Sequence, residues 1–95
     1  MIANTMTDAE INLAISKIEG DYTCVDYVNN WEDIGPIIER EKIKLFSSEG
    51  VDWKATLVKP CSELGYKVWV KEAETPTRAA ALCYLKMKGE NDESN

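Results

Sequence analysis

Two runs in the second half of the chain alternate apolar and polar residues: "VDWKATLV" at residues 51–58 and "YKVWVKE" at residues 66–72. Alternation with a period of two is typical of β-strands, because successive side chains point to opposite faces of the sheet. A shorter run of the same kind, "KIKLFSS", covers residues 42–48. Together these runs predict a sheet of three strands.

The segments between the runs predict how the strands are joined. Residues 47–50, "SSEG", have the composition of a hairpin turn. Residues 59–65 contain Pro60 and Gly65 and predict a longer connection. Strands that follow one another in this way pair most simply as an antiparallel meander.

Helical signals flank the predicted sheet. Thr7 and Glu10 have the spacing of a capping box, which begins a helix. Apolar residues then recur at i, i+3, i+4 and i+7, and Gly20 can adopt the left-handed conformation that commonly ends a helix. We therefore predict a first helix over residues 8–19. At the other end, Thr75 and the proline after it supply a cap and first residue for a last helix, which Gly89 is expected to end.

Residues 29–41, "NNWEDIGPIIERE", have helical spacing but contain Pro36 in the middle. An interior proline costs about 3 kcal/mol, whereas a proline in the first turn is tolerated because its missing N–H would be unpaired there. The segment predicts an irregular turn capped by Asn30, followed by a short helix with Pro36 near its start. Four residues are expected to face the core: Trp31, Ile34, Ile37 and Ile38.

These elements predict one α+β domain over residues 7–89, with the order α-α-β-β-β-α. A chain of 95 residues suffices for one modest core. Residues 1–6 are expected to form a flexible N-terminus, in which Met6 is as natural a start as Met1. Residues 90–95, "ENDESN", are expected to form a disordered acidic tail.

The composition argues against most catalytic classes. The chain has no histidine, which excludes Ser-His-Asp, Cys-His and histidine-zinc mechanisms. Its 3 cysteines are widely spaced and predict neither a disulfide framework nor a zinc site. We therefore expect no catalytic residues, cofactor or metal. Four acidic residues could suggest a carboxylate or metal site but more often form a solvated helix face: Glu32, Asp33, Glu39 and Glu41.

Charge and hydropathy bear on localisation and partners. The net charge is −6, so generic affinity for duplex nucleic acid is not expected, although a local basic patch remains open. The sequence lacks an apolar run near the roughly 20 residues of a membrane span and a signal-like start. These features favour a cytosolic protein.

One face of the predicted sheet is a candidate binding surface. If Ala55, Leu57, Val68 and Val70 face the core, the other face combines lysines with two aromatic residues, which could hold a single strand or a protein. Alternatively, the aromatic residues pack under a helix and the lysines fringe a solvated sheet. The candidate residues on this face are Phe46, Lys54, Lys67, Trp69 and Lys71.

A second candidate surface is the loop before the proline-containing helix. Tyr22, Tyr27 and Trp31 could anchor a protein partner, because aromatic residues contribute strongly to interface energies. Ordinary packing in the core is the alternative for all three.

Several motifs resemble a family of phage proteins. Five segments are similar to the small phage and prophage proteins of the phage α-β-α sandwich family: "MTDAEINLAISKIEG", "DYVNNW", "GPIIERE", Trp53 with Ala55, and "TPTRAAALCYLKMKG". "GPIIERE" and the last helix also resemble the accessory proteins of the lambdoid phage nin region. The resemblance spans residues 6–89 and implies a phage origin, the bacterial cytoplasm and helices on both faces of the sheet.

The function expected from these observations is non-catalytic. We expect a small phage accessory protein that binds a protein of the host or the phage. The alternative is a counter-defence inhibitor, such as an anti-CRISPR or anti-restriction protein, and an enzyme is the least favoured class.

Overall fold

The computed structural model describes residues 6–21, 25–47, 52–62 and 65–93. The order α-α-β-β-β-α and the antiparallel meander β1-β2-β3 are as predicted. The first helix has the bounds predicted for it. The elements are α1 (Asp8–Glu19), α2 (Trp31–Glu41), β1 (Lys44–Ser47), β2 (Trp53–Ser62), β3 (Gly65–Ala73) and α3 (Pro76–Glu93).

The sheet is built on a long hairpin of β2 and β3, to which β1 adds a short edge. Pairing of β2 with β3 runs from Trp53 opposite Ala73 to Ser62 opposite Gly65. The longer connection predicted for residues 59–65 was therefore wrong, although residues 63 and 64 lie outside the described residues, as does the predicted turn at residues 48–50. β1 pairs with residues 53–56 of β2. At Pro60, β3 is the one described strand paired with β2. A proline is tolerated in such an edge position because it has no N–H to donate to a second neighbouring strand.

The described helices all lie on one side of the sheet. α3 packs directly on β2 and β3, while α1 and α2 pack against α3. The resemblance implied helices on both faces, and the described part of the chain does not have this arrangement. The core between the sheet and the helices includes Ile11, Ile15, Ile34, Ile37, Ala55, Leu57, Trp69, Leu82, Cys83 and Tyr84.

The capping box that begins α1 is present as predicted. The Thr7 Oγ1 accepts the backbone N–H of Glu10 at 3.2 Å, and the Glu10 Oε1 accepts that of Thr7 at 2.8 Å. Gly20 ends the helix in the left-handed region, with φ 74°. Ile11 and Ile15 are buried, but Ile18, seven residues after Ile11, is 40% exposed.

α2 is one continuous helix with Pro36 inside it. The predicted irregular turn followed by a short helix was wrong, because burial of Ile34 and Ile37 and the cap at Asn30 outweigh one missing hydrogen bond. The Asn30 Oδ1 accepts the backbone N–H of Glu32 at 3.0 Å. Trp31 was expected in the core and is instead 54% exposed, because it is the first residue of the helix.

The described chain extends beyond both ends of the predicted domain. α3 continues through Gly89 to Glu93, so residues 90–93 have helical backbone where a disordered tail was predicted. A glycine inside a helix costs only about 1 kcal/mol, which does not by itself end the helix. Met6, the last residue of the N-terminus predicted to be flexible, packs against the core, and its carbonyl accepts from Arg78 Nη2 at 2.6 Å. Residues 1–5, 94 and 95 lie outside the described residues.

Candidate functional site

One face of the sheet carries large apolar side chains that no described helix covers. Opposed residues of antiparallel strands share a face, and the pairs Val58–Val68 and Thr56–Val70 place the valines of β2 and β3 together. Phe46 joins them because it pairs with Lys54, two residues before Thr56. We call this the open face; its apolar residues are Phe46 (45% exposed), Val58 (42%), Tyr66 (73%), Val68 (53%) and Val70 (39%).

The other face, which we call the helix face, carries Trp69. Trp69 pairs with Leu57, and both are buried beneath the helices. The predicted division of the sheet was therefore wrong: Phe46 and Lys54 lie on the open face, but Trp69 lies on the helix face. Lys67 and Lys71 lie two residues before and after Trp69 on β3, so they also point to the helix side. Lys67 is exposed and Lys71 is half-buried.

The error has a physical origin in β3. Residues 68–70, "VWV", are apolar on both faces, so the alternation alone does not tell which set is buried. The pairing register decides it, because Ala55 and Leu57 of β2 are buried and their partners must share their face. The sequence prediction consequently missed four residues of the open face, which the register of β2 with β3 reveals: Val58, Tyr66, Val68 and Val70.

Charged residues occupy only one end of the open face. Lys54 Nζ lies 3.5 Å from Glu72 Oε2 and 5.9 Å from the centre of the Phe46 ring. Lys44 lies in the next row, opposite Thr56. The half of the open face farther from β1, which contains Val58 and Tyr66, has no charged residue among the described positions on that face. The open face is therefore apolar from Tyr66 to Val70 along β3, and its charged end combines Lys44 and Lys54 with Glu72.

The lysines on the helix side belong to the rim of the sheet. Lys67 Nζ lies 5.6 Å from the centre of the Trp69 ring, within the range of a cation–π contact. Lys71 borders a shallow depression that Asp52 and Glu72 also line. A single basic platform with two aromatic residues, as predicted, is not formed.

The three loop aromatics have different surroundings. Tyr22 lies outside the described residues. Tyr27 is a core residue, only 4% exposed, and burial raises the pKa of its hydroxyl. Trp31 is exposed at the start of α2, on the helix side of the molecule. Tyr27 and Trp31 therefore do not form a joint surface with Phe46 and Lys54.

A polar network holds the ends of the helices together. Arg40 donates to both carboxylate oxygens of Glu19, at 3.0 and 2.8 Å, and Nη2 also donates to the hydroxyl of Tyr84 at 3.0 Å. Tyr84 in turn donates to Glu19. The hydrogen bond from Arg40 is the main reason that the pKa of Glu19 lies below its usual range. These groups are committed to bonds that join α1, α2 and α3.

The network extends to the sheet through Glu41. Lys59 Nζ lies 2.8 Å from Glu41 Oε1, and Arg40 Nε lies 2.9 Å from Glu41 Oε2. Burial by itself would raise the pKa of Glu41, but the hydrogen bonds from Lys59 and Arg40 outweigh burial and lower it. Glu41 was expected on a solvated helix face, and its side chain is only 11% exposed because Lys59 of β2 lies against it.

An acidic cleft lies between the end of α1 and α2. It has a volume of about 290 Å³ and an apolar floor that includes Tyr27 and Ile37, with Glu32 and Asp33 at its rim. Asp33 Oδ2 accepts the backbone N–H of Asp26 at 2.8 Å. Among the described residues, no group of three or more carboxylate, cysteine or histidine side chains is placed to hold a metal ion.

Cys83 is a free cysteine of α3. It is buried beneath the sheet, and its thiol donates to the carbonyl of Trp69 at 3.3 Å. Burial raises the pKa of the Cys83 thiol to about 11. Since the thiolate is the nucleophilic form, this cysteine is a packing residue at neutral pH.

Most of the chain matches a known protein family. Residues 15–88 of the 95 match the family model described as Bacteriophage P22, NinX. This span includes α2, the whole sheet and most of α3. No curated protein matches the chain. No helix in the described ranges is both long and apolar enough to cross a bilayer.

Proposed function

Since this chain belongs to the bacteriophage P22 NinX family, a family of phage nin-region proteins, we propose that it is a non-catalytic accessory protein that binds a protein of the phage or its host. The open face is the contact surface. The setting of this interaction is the cytoplasm of the infected bacterium.

The observation that carries this proposal is the exposure of the open face. Four large apolar side chains are neighbours on β2 and β3 and are between 39% and 73% exposed: Val58, Tyr66, Val68 and Val70. Apolar surface removed from water contributes roughly 25 cal/mol per Å², so covering these side chains gives a substantial driving force for association. A contiguous exposed apolar patch is a common mark of a protein interaction site.

The proposal predicts that two substitutions on the open face abolish partner capture. We would replace Tyr66→Thr and Val68→Thr together, because threonine keeps the strand propensity of β3 while removing apolar area. The affinity-tagged protein would be used as bait in lysate from phage-infected cells. We expect at least about tenfold less of any specific partner with the double variant than with the wild type, because burial of each side chain is worth about 1.5–3 kcal/mol.

The matched control is Leu13→Ser on α1. Leu13 is 51% exposed, comparable with Val68, but lies on the helix side. The free energies of unfolding of both variants should lie within about 0.5–1 kcal/mol of the wild-type value, as is usual for substitutions of exposed residues. Equal recovery with the wild type and the open-face variant, or a selective loss with Leu13→Ser, would contradict the proposal. The identity of the captured protein would separate an accessory role from a counter-defence role.

A further inference from the structure

We propose that the open face receives an amphipathic α-helix of the partner that lies along β3, with acidic residues at the end nearest Lys44 and Lys54. This inference rests on the proposed function and specifies the chemistry of the partner. It follows from three properties of the open face: the spacing of its apolar residues, its width, and the position of its lysines.

The spacing along β3 matches the turns of a helix. Tyr66, Val68 and Val70 are successive residues on one face of β3. At about 3.3 Å per residue, they span roughly 13 Å. Helix positions i, i+4 and i+8 span about 12 Å, at 1.5 Å per residue. Three apolar residues on one side of a helix can therefore contact the three residues of β3.

The width of the face also suits one helix. Neighbouring strands lie about 4.8 Å apart, so two or three strands present a surface close to the roughly 10 Å diameter of a helix. α3 provides an example within the molecule, because it packs on the helix face of β2 and β3. A helix also satisfies its interior backbone groups by itself, whereas an extended segment lying across the face would leave its N–H and C=O groups without strand partners.

The lysines determine the charge that the partner needs. Lys44 forms no ion pair with any residue that the structure describes, and within the same residues the one ion pair of Lys54 is the exposed contact with Glu72. Among the described residues, the apolar half around Val58 and Tyr66 has no charge on the open face. Acidic residues at one end of the docked helix would pair with Lys44 and Lys54 while its apolar stripe covers β3.

The same charges disfavour other occupants. A second copy would present the same lysines and would bring together two chains that each carry a net charge of −6. An anionic membrane or a nucleic acid would meet the two lysines but would be repelled by the net charge of the rest of the molecule. These occupants are outcomes of the experiment below.

The test uses synthetic 18-residue helical peptides as probes. One peptide carries leucines at i, i+4 and i+8 with glutamates at one end; a second has lysines in place of the glutamates; a third has the first composition in scrambled order. Their binding to the full chain would be measured by fluorescence anisotropy at low salt. We expect the glutamate peptide to bind with Kd of about 10–100 µM and the lysine and scrambled peptides at least fivefold more weakly.

A charge exchange makes the test specific. Lys44→Glu should weaken binding of the glutamate peptide and strengthen binding of the lysine peptide, and each affinity should change by at least about threefold at low salt. Lys17→Glu makes the same charge change on an exposed residue of α1 and should alter the ratio between the two peptides little. The double variant Tyr66→Thr, Val68→Thr should lose binding of both peptides. Equal binding of the three peptides, or equal effects of the two lysine substitutions, would overturn the inference.

The remaining outcomes identify a different occupant. A dimer of the wild type in sedimentation experiments that the double variant abolishes would make a second copy the occupant. Flotation with phosphatidylglycerol vesicles, or binding to labelled single-stranded DNA, that the double variant abolishes would likewise overturn the inference. If none of the peptides binds but capture of a protein still depends on Tyr66 and Val68, the helix inference fails and the proposed function stands. If capture is also independent of these residues, both fail.

Discussion

Replacing Trp69 with alanine is expected to lower the free energy of unfolding by about 3–5 kcal/mol, the usual cost of removing a buried tryptophan. Trp69 is only 3% exposed and pairs with Leu57, which is fully buried. Its removal would leave a cavity between the sheet and α3. Small domains lose about 4–8 °C of melting temperature per kcal/mol, so thermal unfolding would show the change clearly.

The control for Trp69→Ala is Tyr66→Ala on the same strand. Tyr66 points to the open face and is 73% exposed, so its loss should change the free energy of unfolding by less than about 1 kcal/mol. Urea unfolding of the two variants would give the comparison. A larger loss for Tyr66→Ala than for Trp69→Ala would mean that the two faces of β3 are exchanged, as the sequence alone had suggested.

Replacing Pro36 with alanine is expected to raise the free energy of unfolding by about 2 kcal/mol. Pro36 lies inside α2 and has no N–H to donate to the carbonyl of Glu32, one turn earlier. Proline is about 3 kcal/mol less favourable than alanine in a helix interior. The gain is reduced by about 0.4–1 kcal/mol, because alanine also gives the unfolded chain more conformational freedom.

The control for Pro36→Ala is Gly35→Ala. A β-carbon added at Gly35 meets nothing within 4 Å, so this change should add only the helix preference of alanine over glycine, about 0.5–1 kcal/mol. Urea unfolding would compare both variants with the wild type. A smaller gain for Pro36→Ala than for Gly35→Ala, or a loss, would show that the chain breaks at this point, as the sequence analysis predicted.

Local signals in the sequence were sufficient for the kind and order of the elements. The capping box of Thr7 and Glu10 and the stop at Gly20 set the bounds of α1, because each acts through contacts within a few residues. The period of two likewise revealed the three strands. Such features depend little on the rest of the fold.

The features that the sequence did not reveal depend on tertiary packing. The faces of β3 follow from its register with β2, which the apolar residues 68–70 leave ambiguous. Pro36 and Gly89 are helix breakers by local preference, but α2 and α3 pass through them. For α2, the buried side chains of Ile34 and Ile37 compensate for the proline. The open face could not be found without that register.

The open face is tested most directly by photo-crosslinking in infected cells. A photoreactive phenylalanine analogue would be placed at position 66 on the open face or, as the control, at position 31 at the start of α2. Tyr66 and Trp31 are both exposed aromatic residues, 73% and 54%, but lie on opposite sides of the molecule. We predict a covalent adduct with a partner protein from position 66 and none from position 31. An adduct from position 31 without one from position 66 would contradict the assignment of the open face as the binding surface.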